Sequence, residues 1–195
     1  MAEIRSTLDM VMERANRMAK RATDVPVEQQ FEERGMRLIV EFLAGKHADL
    51  NTLLQNEDPA TQMAVRKGMV KGLLRNILLP RDEELTQSSA AAIAGVQELS
   101  AQDAEIISVC TELGQILEQY TGHKDQVVQQ LSDNIRTQLA QQLQQQTGEM
   151  PDMNAIDPTM HPQYRTELEK ALGDLNEQYT QALIQRKDIL LQRFS

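Results

Sequence analysis

The sequence predicts an all-α protein: a multi-helix bundle with a long, coiled-coil-like antiparallel helical hairpin in its C-terminal half. Three observations predict it. Apolar residues recur at spacings of three and four along most of the chain. Straight-chain residues dominate, with 10 Met and the glutamine-dense "QLAQQLQQQ", whereas there is no Trp and only 3 Phe and 3 Tyr. Only 6 prolines interrupt the 195 residues, which leaves long segments free to stay helical. The expected division is a compact multi-helix unit over residues 1–99 and a hairpin over 100–195. A Pro/Met loop is expected at about 147–162, and the two parts are compatible with one shared core.

The first segment places Ile4, Leu8, Val11, Ala15, Met18 and Ala22 on one apolar stripe. Pro26 disfavours helix at Val25 and suits the first turn of a second helix. That helix carries Val27, Phe31, Leu38, Ile39, Phe42 and Leu43. Its end, "MRLIVEFLAG", is apolar around much of its circumference and is expected to be deeply buried, with "LIV" as a competing strand. Gly45 is a natural stop. A short helix follows in "ADLNTLLQ".

"EDPATQM" reads as a helix start, with Asp58 as cap and Pro59 at the first helical position. The helix it opens contains "RKGMVKGLLRNILLP", ending before Pro80. Asp82, Glu83 and Glu84 then place negative charge at the positive end of the next helix. In "SAQD", Ser100 is the expected cap of a long segment carrying Ile106, Cys110, Leu113, Leu117 and Tyr120. The seam falters at "TGHKD" and resumes at Val127, Leu131, Ile135, Leu139 and Leu143. Gly122 is compatible with either a break or one continuous rod. "TGEMPDMNAIDPTMHP" is the clearest loop. A last helix, from about Gln163 to Phe194, returns Tyr164, Leu168, Leu172, Leu175, Tyr179, Leu183 and Leu190 as the second arm.

The helix after Asp58 raises the main functional question. Gly68 and Gly72 each cost roughly 1 kcal/mol relative to Ala inside a helix. On a helical wheel they fall beside Val65, Met69 and Leu79, opposite the face of Met63, Val70, Leu73, Leu74, Ile77 and Leu78. Lys67, Lys71 and Arg75 form a basic stripe at the flank, with Arg66 nearby. Small residues four apart admit a second backbone at close range. The partner is a helix of the same chain, a second chain, or none if the glycines bend the helix. Val65, Gly68, Met69 and Gly72, with Lys67, Lys71 and Arg75, are therefore the candidate interaction surface.

Charge is uneven. Residues 1–80 hold 12 Lys/Arg and 11 Asp/Glu, and residues 81–195 hold 8 and 18. No Lys or Arg lies between Asp82 and His123. A net charge of −9 disfavours general nucleic-acid binding. The basic stripe is expected to be a solvated flank, with pairing to the acidic segment, within or between chains, and contact with a phosphorylated ligand or nucleic acid as the alternatives. Cys110 is the only cysteine, which fits the reducing cytoplasm. No apolar leader and no membrane-spanning run is visible. Glu3, Asp9 and Glu13 on the polar face of the first segment argue against a membrane-surface helix.

No phosphate-binding loop, nucleophile elbow or zinc motif is present. His47, His123 and His161 sit near breaks, and none is spaced with another ligand. Cys110 on the apolar seam reads as a buried, inert thiol. Met150, Met153, Met160 and His161 offer soft ligands for Cu(I), against the plainer expectation that the methionines pack. The expectation is a non-catalytic intracellular scaffold or interaction protein, without cofactor or metal, that self-associates or docks to a protein. The alternative is a regulator that uses the basic stripe on nucleic acid or a phosphorylated ligand.

Overall fold

The computed structural model of the chain describes residues 26–194. The amphipathic segment expected before Pro26 lies outside them. All regular elements among the described residues are helical. They are α1 (Val27–Leu43), α2 (Leu50–Gln55), α3 (Gln62–Asn76), α4 (Glu83–Leu99), α5 (Ala104–Thr147) and α6 (Tyr164–Arg193). Two short 3₁₀ turns, Met153–Ala155 and Pro158–Met160, lie between α5 and α6. The chain divides into two compact units, one ending at Gly72 and the other beginning at Leu73. The division therefore falls inside α3, whereas the sequence reading placed it between residues 99 and 100.

In the first unit, α1 runs helically through "LIV", so the strand alternative is overturned. Gly45 ends it at φ +75°. The Gly45 amide donates to Phe42 O and the Lys46 amide to Glu41 O, a paired closure that only a left-handed residue allows cheaply. Burial in α1 is narrower than expected. Gly35 and Ile39 are buried, whereas Val40 is 68% exposed. The Asp49 side chain caps α2 by accepting from the Thr52 amide at 2.6 Å. Asp58 caps a turn instead of the helix itself: its carboxylate accepts from the Ala60 amide at 2.9 Å, and α3 begins at Gln62.

In the second unit, the end of α3 is held by side chains. Ser89, fully buried, accepts from the Leu78 amide at 3.1 Å and donates toward Leu78 O at 3.1 Å. Lys187 donates to Ile77 O at 2.5 Å. These partners satisfy backbone groups that a helix end leaves open. Ile77, Leu78 and Leu79 lie past the helix, and Leu78 is 46% exposed, so the expected apolar face stops earlier. Met63, placed on that face by the wheel, is 79% exposed. Val70, Leu73, Leu74 and Ile77 are buried as expected.

Asp82 caps α4 through the Leu85 amide at 2.8 Å. The turn between α4 and α5 uses Ala101 and Gln102 at positive φ. Asp103, not Ser100, caps α5, accepting from the Glu105 and Ile106 amides at 2.9 and 3.2 Å. Ser100 instead ends α4 and donates back to Gln97 O at 2.6 Å. Helix α5 is continuous for 44 residues through Gly122, a rod of about 66 Å. Helix α6 returns along it for 30 residues.

The hairpin register is set by pairs that step in opposite directions along the two arms. Glu105 meets Arg193, and Glu112 meets Arg186 at 2.5 Å. The Tyr120 hydroxyl donates to Asn176 at 2.8 Å, and Ser132 meets the Tyr164 hydroxyl at 3.2 Å. Tyr120 and Tyr179 pack edge to face with centroids 5.5 Å apart. Cys110, Leu113, Ile135, Leu183 and Leu190 are buried along the seam. In the loop, Arg136 donates to Ile156 O at 3.2 Å and holds the buried Ile156 and Pro158 to α5. Met150 and Met160 are 77% and 79% exposed, so these two methionines do not pack onto the hairpin.

Candidate functional site

The sequence-predicted surface lies at the crossing of α1 and α3. Gly35, Gly68 and Gly72 are the notches that let the two backbones meet. A Cβ on Gly68 would sit 2.0 Å from Glu32 O, and one on Gly35 would sit 2.1 Å from Val65 O. At Gly72 the neighbour is the Ile39 side chain, at 3.1 Å. Val65, Gly68, Met69 and Gly72 are all buried. This is a correction: the face offered as a docking surface for another chain is covered by α1 of the same chain. The glycines answer a packing need within the first unit.

The basic stripe is corrected for the same reason. Lys67 meets Glu32 at 3.2 Å and Glu28 at 3.8 Å. Lys71 bonds the other oxygen of Glu32. The ammonium of Lys71 first, then that of Lys67, holds the Glu32 carboxyl below the usual carboxylate range. Glu32 in turn raises the pKa of Lys67. Two cations of the stripe are thus spent on α1, not on the acidic segment after Asp82. Arg75 is exposed. Sequence reasoning missed Gly35 and Glu32, because the separation of 39 residues between Glu32 and Lys71 leaves no local periodic signal.

The other candidate chemistries have structural partners. His123 Nδ1 meets the Tyr179 hydroxyl at 2.5 Å. His47 pairs with Glu41 at 3.2 Å, and His161 Nδ1 accepts from the Gln163 amide at 3.2 Å. Burial pushes the Cys110 thiol up to about 11, which suppresses the reactive thiolate. Burial also lowers the Lys187 amine, whose hydrogen bond goes to a backbone carbonyl. Among the described residues, no group of three or more His, Cys, Asp or Glu is placed to hold a metal ion.

The second unit contains a concave surface that the sequence reading did not single out. A groove of about 560 Å³ runs between α4 and α5. Ala90, Ile93 and Ala94 on α4 face Gly114, Leu117 and Gly122 on α5 across its apolar floor. Glu118, Thr121 and Asp125 add polar groups along α5, and Thr86 and Gln97 do so along α4. A Cβ built on Gly114 or Gly122 meets nothing within 4 Å. These two glycines widen the groove, and among the described residues nothing lies within 4 Å of the position a Cβ would take at either. Their spacing of eight residues, which puts both on one face of α5, was the available sequence signal. The sequence reading of Gly122 concerned only whether the helix breaks or continues there.

No helix among the described residues is long and apolar enough to cross a membrane. No curated protein and no solved structure matches the chain. Residues 51–192 match a family description, a stretch that takes in α2 to most of α6 and the whole groove lining but leaves out α1. The chain belongs to the family of unknown function DUF6657.

Proposed function

We propose that this chain is a non-catalytic helical interaction protein of the cytoplasm, and that the groove between α4 and α5 receives a helical segment of a protein partner. The observation that carries this reading is the open apolar floor at Gly114 and Gly122. At Gly35 and Gly68, by contrast, the backbone of a facing helix fills the space beside a mid-helix glycine, whereas the open glycine of α6, Gly173, lies outside the groove lining. A glycine in mid-helix with nothing over it lowers helix stability without a packing return from the described residues. A helix laid into the groove would supply that return. The groove runs alongside α5 from Gly114 to Asp125, about 16 Å at 1.5 Å per residue, which is three turns of a partner helix. The buried thiol and the partnered histidines support a binding role over a reactive one.

The test is capture from native extract with matched baits. Gly122→Leu fills the groove. Gly173→Leu places the same side chain on α6, where a Cβ also meets open space, outside the groove lining. A partner retained by the wild type and by Gly173→Leu, but lost with Gly122→Leu, is the expected result. Equal retention by both variants would remove the groove from the reading.

A further inference from the structure

The chemistry of the groove restricts what can occupy it, and this step rests on the receptor reading above. The acids of α5 are not equivalent. Glu105 and Glu112 point toward α6 and are neutralised there by Arg193 and Arg186. Glu118 and Asp125 lie on the groove side, are exposed, and join no ion pair among the described residues. The walls lie within, or just outside, a stretch without any Lys or Arg from Asp82 to His123. Arg81 and Lys124 bracket that stretch but do not line the groove. An apolar floor beneath uncompensated carboxylates attracts a cation and repels an anion.

The floor also sets the shape of the occupant. Gly114 and Gly122 are eight residues apart, about 12 Å along α5. That matches the distance between side chains seven or eight residues apart on a second helix, which share one face. Between them, Leu117 and Ile93 supply apolar contact. We infer that the groove takes a basic amphipathic helix of a partner protein: apolar side chains seat over Gly114 and Gly122, and Lys or Arg at the flank pair with Glu118 and Asp125. The carboxylates set register and select against acidic helices, and the floor supplies the affinity.

The test uses designed peptides of about 14 residues, three turns to match the groove with about three residues over for the ends, and fluorescence anisotropy with the full chain. One peptide carries a Leu/Ala face with Lys and Arg flanks. A second keeps the face and replaces the flanks with Glu. A third has the composition of the first with the amphipathic order scrambled. The first is expected to bind, at least about tenfold more tightly than the other two. Glu118→Gln and Asp125→Asn should each weaken it about two- to fivefold, the range of an exposed ion pair. Added salt should weaken it in the wild type and do so less in the double variant.

Equal binding of the basic and acidic peptides, or indifference to Glu118→Gln with Asp125→Asn, would overturn the basic-helix inference. The receptor reading would survive that result if Gly122→Leu still abolished binding. Binding of the scrambled peptide as tight as the ordered one would reduce the site to nonspecific charge attraction and overturn the inference. Light scattering of the protein alone covers one more occupant. A dimer abolished by Gly122→Leu would make the occupant a second copy and overturn the assignment to a partner.

Discussion

The crossing of α1 with α3 and the groove between α4 and α5 both rest on mid-helix glycines, but the two sets work in opposite ways. At the crossing, backbone from the facing helix occupies the place where the side chains of Gly35 and Gly68 would be. At the groove, the same place beside Gly114 and Gly122 is open space. Charge follows the same contrast. Lys67 and Lys71 at the crossing share Glu32, with Glu28 as a second partner of Lys67, whereas Glu118 and Asp125 at the groove join no ion pair among the described residues. A glycine motif therefore does not identify a binding surface by itself. What separates the internal joint from the proposed receptor groove is whether the described residues already fill the space and pair the charge.

The largest effect is expected at Gly35. A methyl group there would meet Val65 O at 2.1 Å, and backbone cannot swing aside as a side chain can. Gly35→Ala should cost about 3 kcal/mol or more. Hydrogen exchange read by mass spectrometry should show faster exchange across residues 27–43. Unchanged protection there would mean that the crossing is not closed.

Next comes the charge at the crossing. Glu32→Gln should weaken the unit by about 1 kcal/mol, since the pair is partly solvated. Glu32 is held below its ordinary value of 4.5, so its contribution is complete above that value and is lost as pH falls through the lower folded value. The wild-type crossing should therefore loosen below about pH 4.5, with α1 exchange as the readout. The Gln variant should show a shallower acid dependence. Identical acid profiles would place the pH sensitivity elsewhere.

Gly114→Ala sharpens the contrast from the open side. With nothing within 4 Å, the methyl group should raise stability by roughly 0.5–1 kcal/mol, seen as a higher denaturant midpoint. The smallest effect is expected at Gly72. Its neighbour is the Ile39 side chain at 3.1 Å, which can yield by a few tenths of an ångström. The helix-propensity gain of Gly72→Ala and the tight contact should nearly cancel, leaving a change within about 0.5 kcal/mol. A stabilisation as large as that of Gly114→Ala would mean that Gly72 is as open as the groove.

The helices were legible because their determinants are local. Asp82 lies with Glu83 and Glu84 at the start of α4, Gly45 ends α1 at positive φ, and the seam through Cys110, Leu113 and Tyr120 is buried. The all-α class and the long hairpin followed from that grammar. What could not be read was which faces meet. The crossing depends on Gly35 and Glu32, far from Gly68 and Lys71 in sequence and marked by no shared period. Ser89 and Lys187 satisfy the end of α3 across 11 and 110 residues, again without a local sign. The small errors at Asp58 and Ser100 were local: in each case a polar side chain serves a turn beside the helix start that its position suggested. The groove was partly legible. The missing Lys and Arg between Asp82 and His123 and the eight-residue spacing of Gly114 and Gly122 were both visible. The pairing of α4 with α5 that unites them was not.

The contrast between closed and open glycines is tested most directly by one paired measurement. Gly68→Ala and Gly122→Ala make the same chemical change in two helices, and their denaturant midpoints can be measured side by side with exchange protection over residues 27–43 and 104–147. Gly68→Ala would drive a methyl group to 2.0 Å from Glu32 O and should destabilise by about 3 kcal/mol, with α1 losing protection. Gly122→Ala enters open space and should stabilise by up to about 1 kcal/mol, with α5 protection unchanged or higher. Opposite signs are the expected result. If Gly122→Ala also destabilises, the space beside α5 is already occupied within the chain, and the groove cannot be its receptor site.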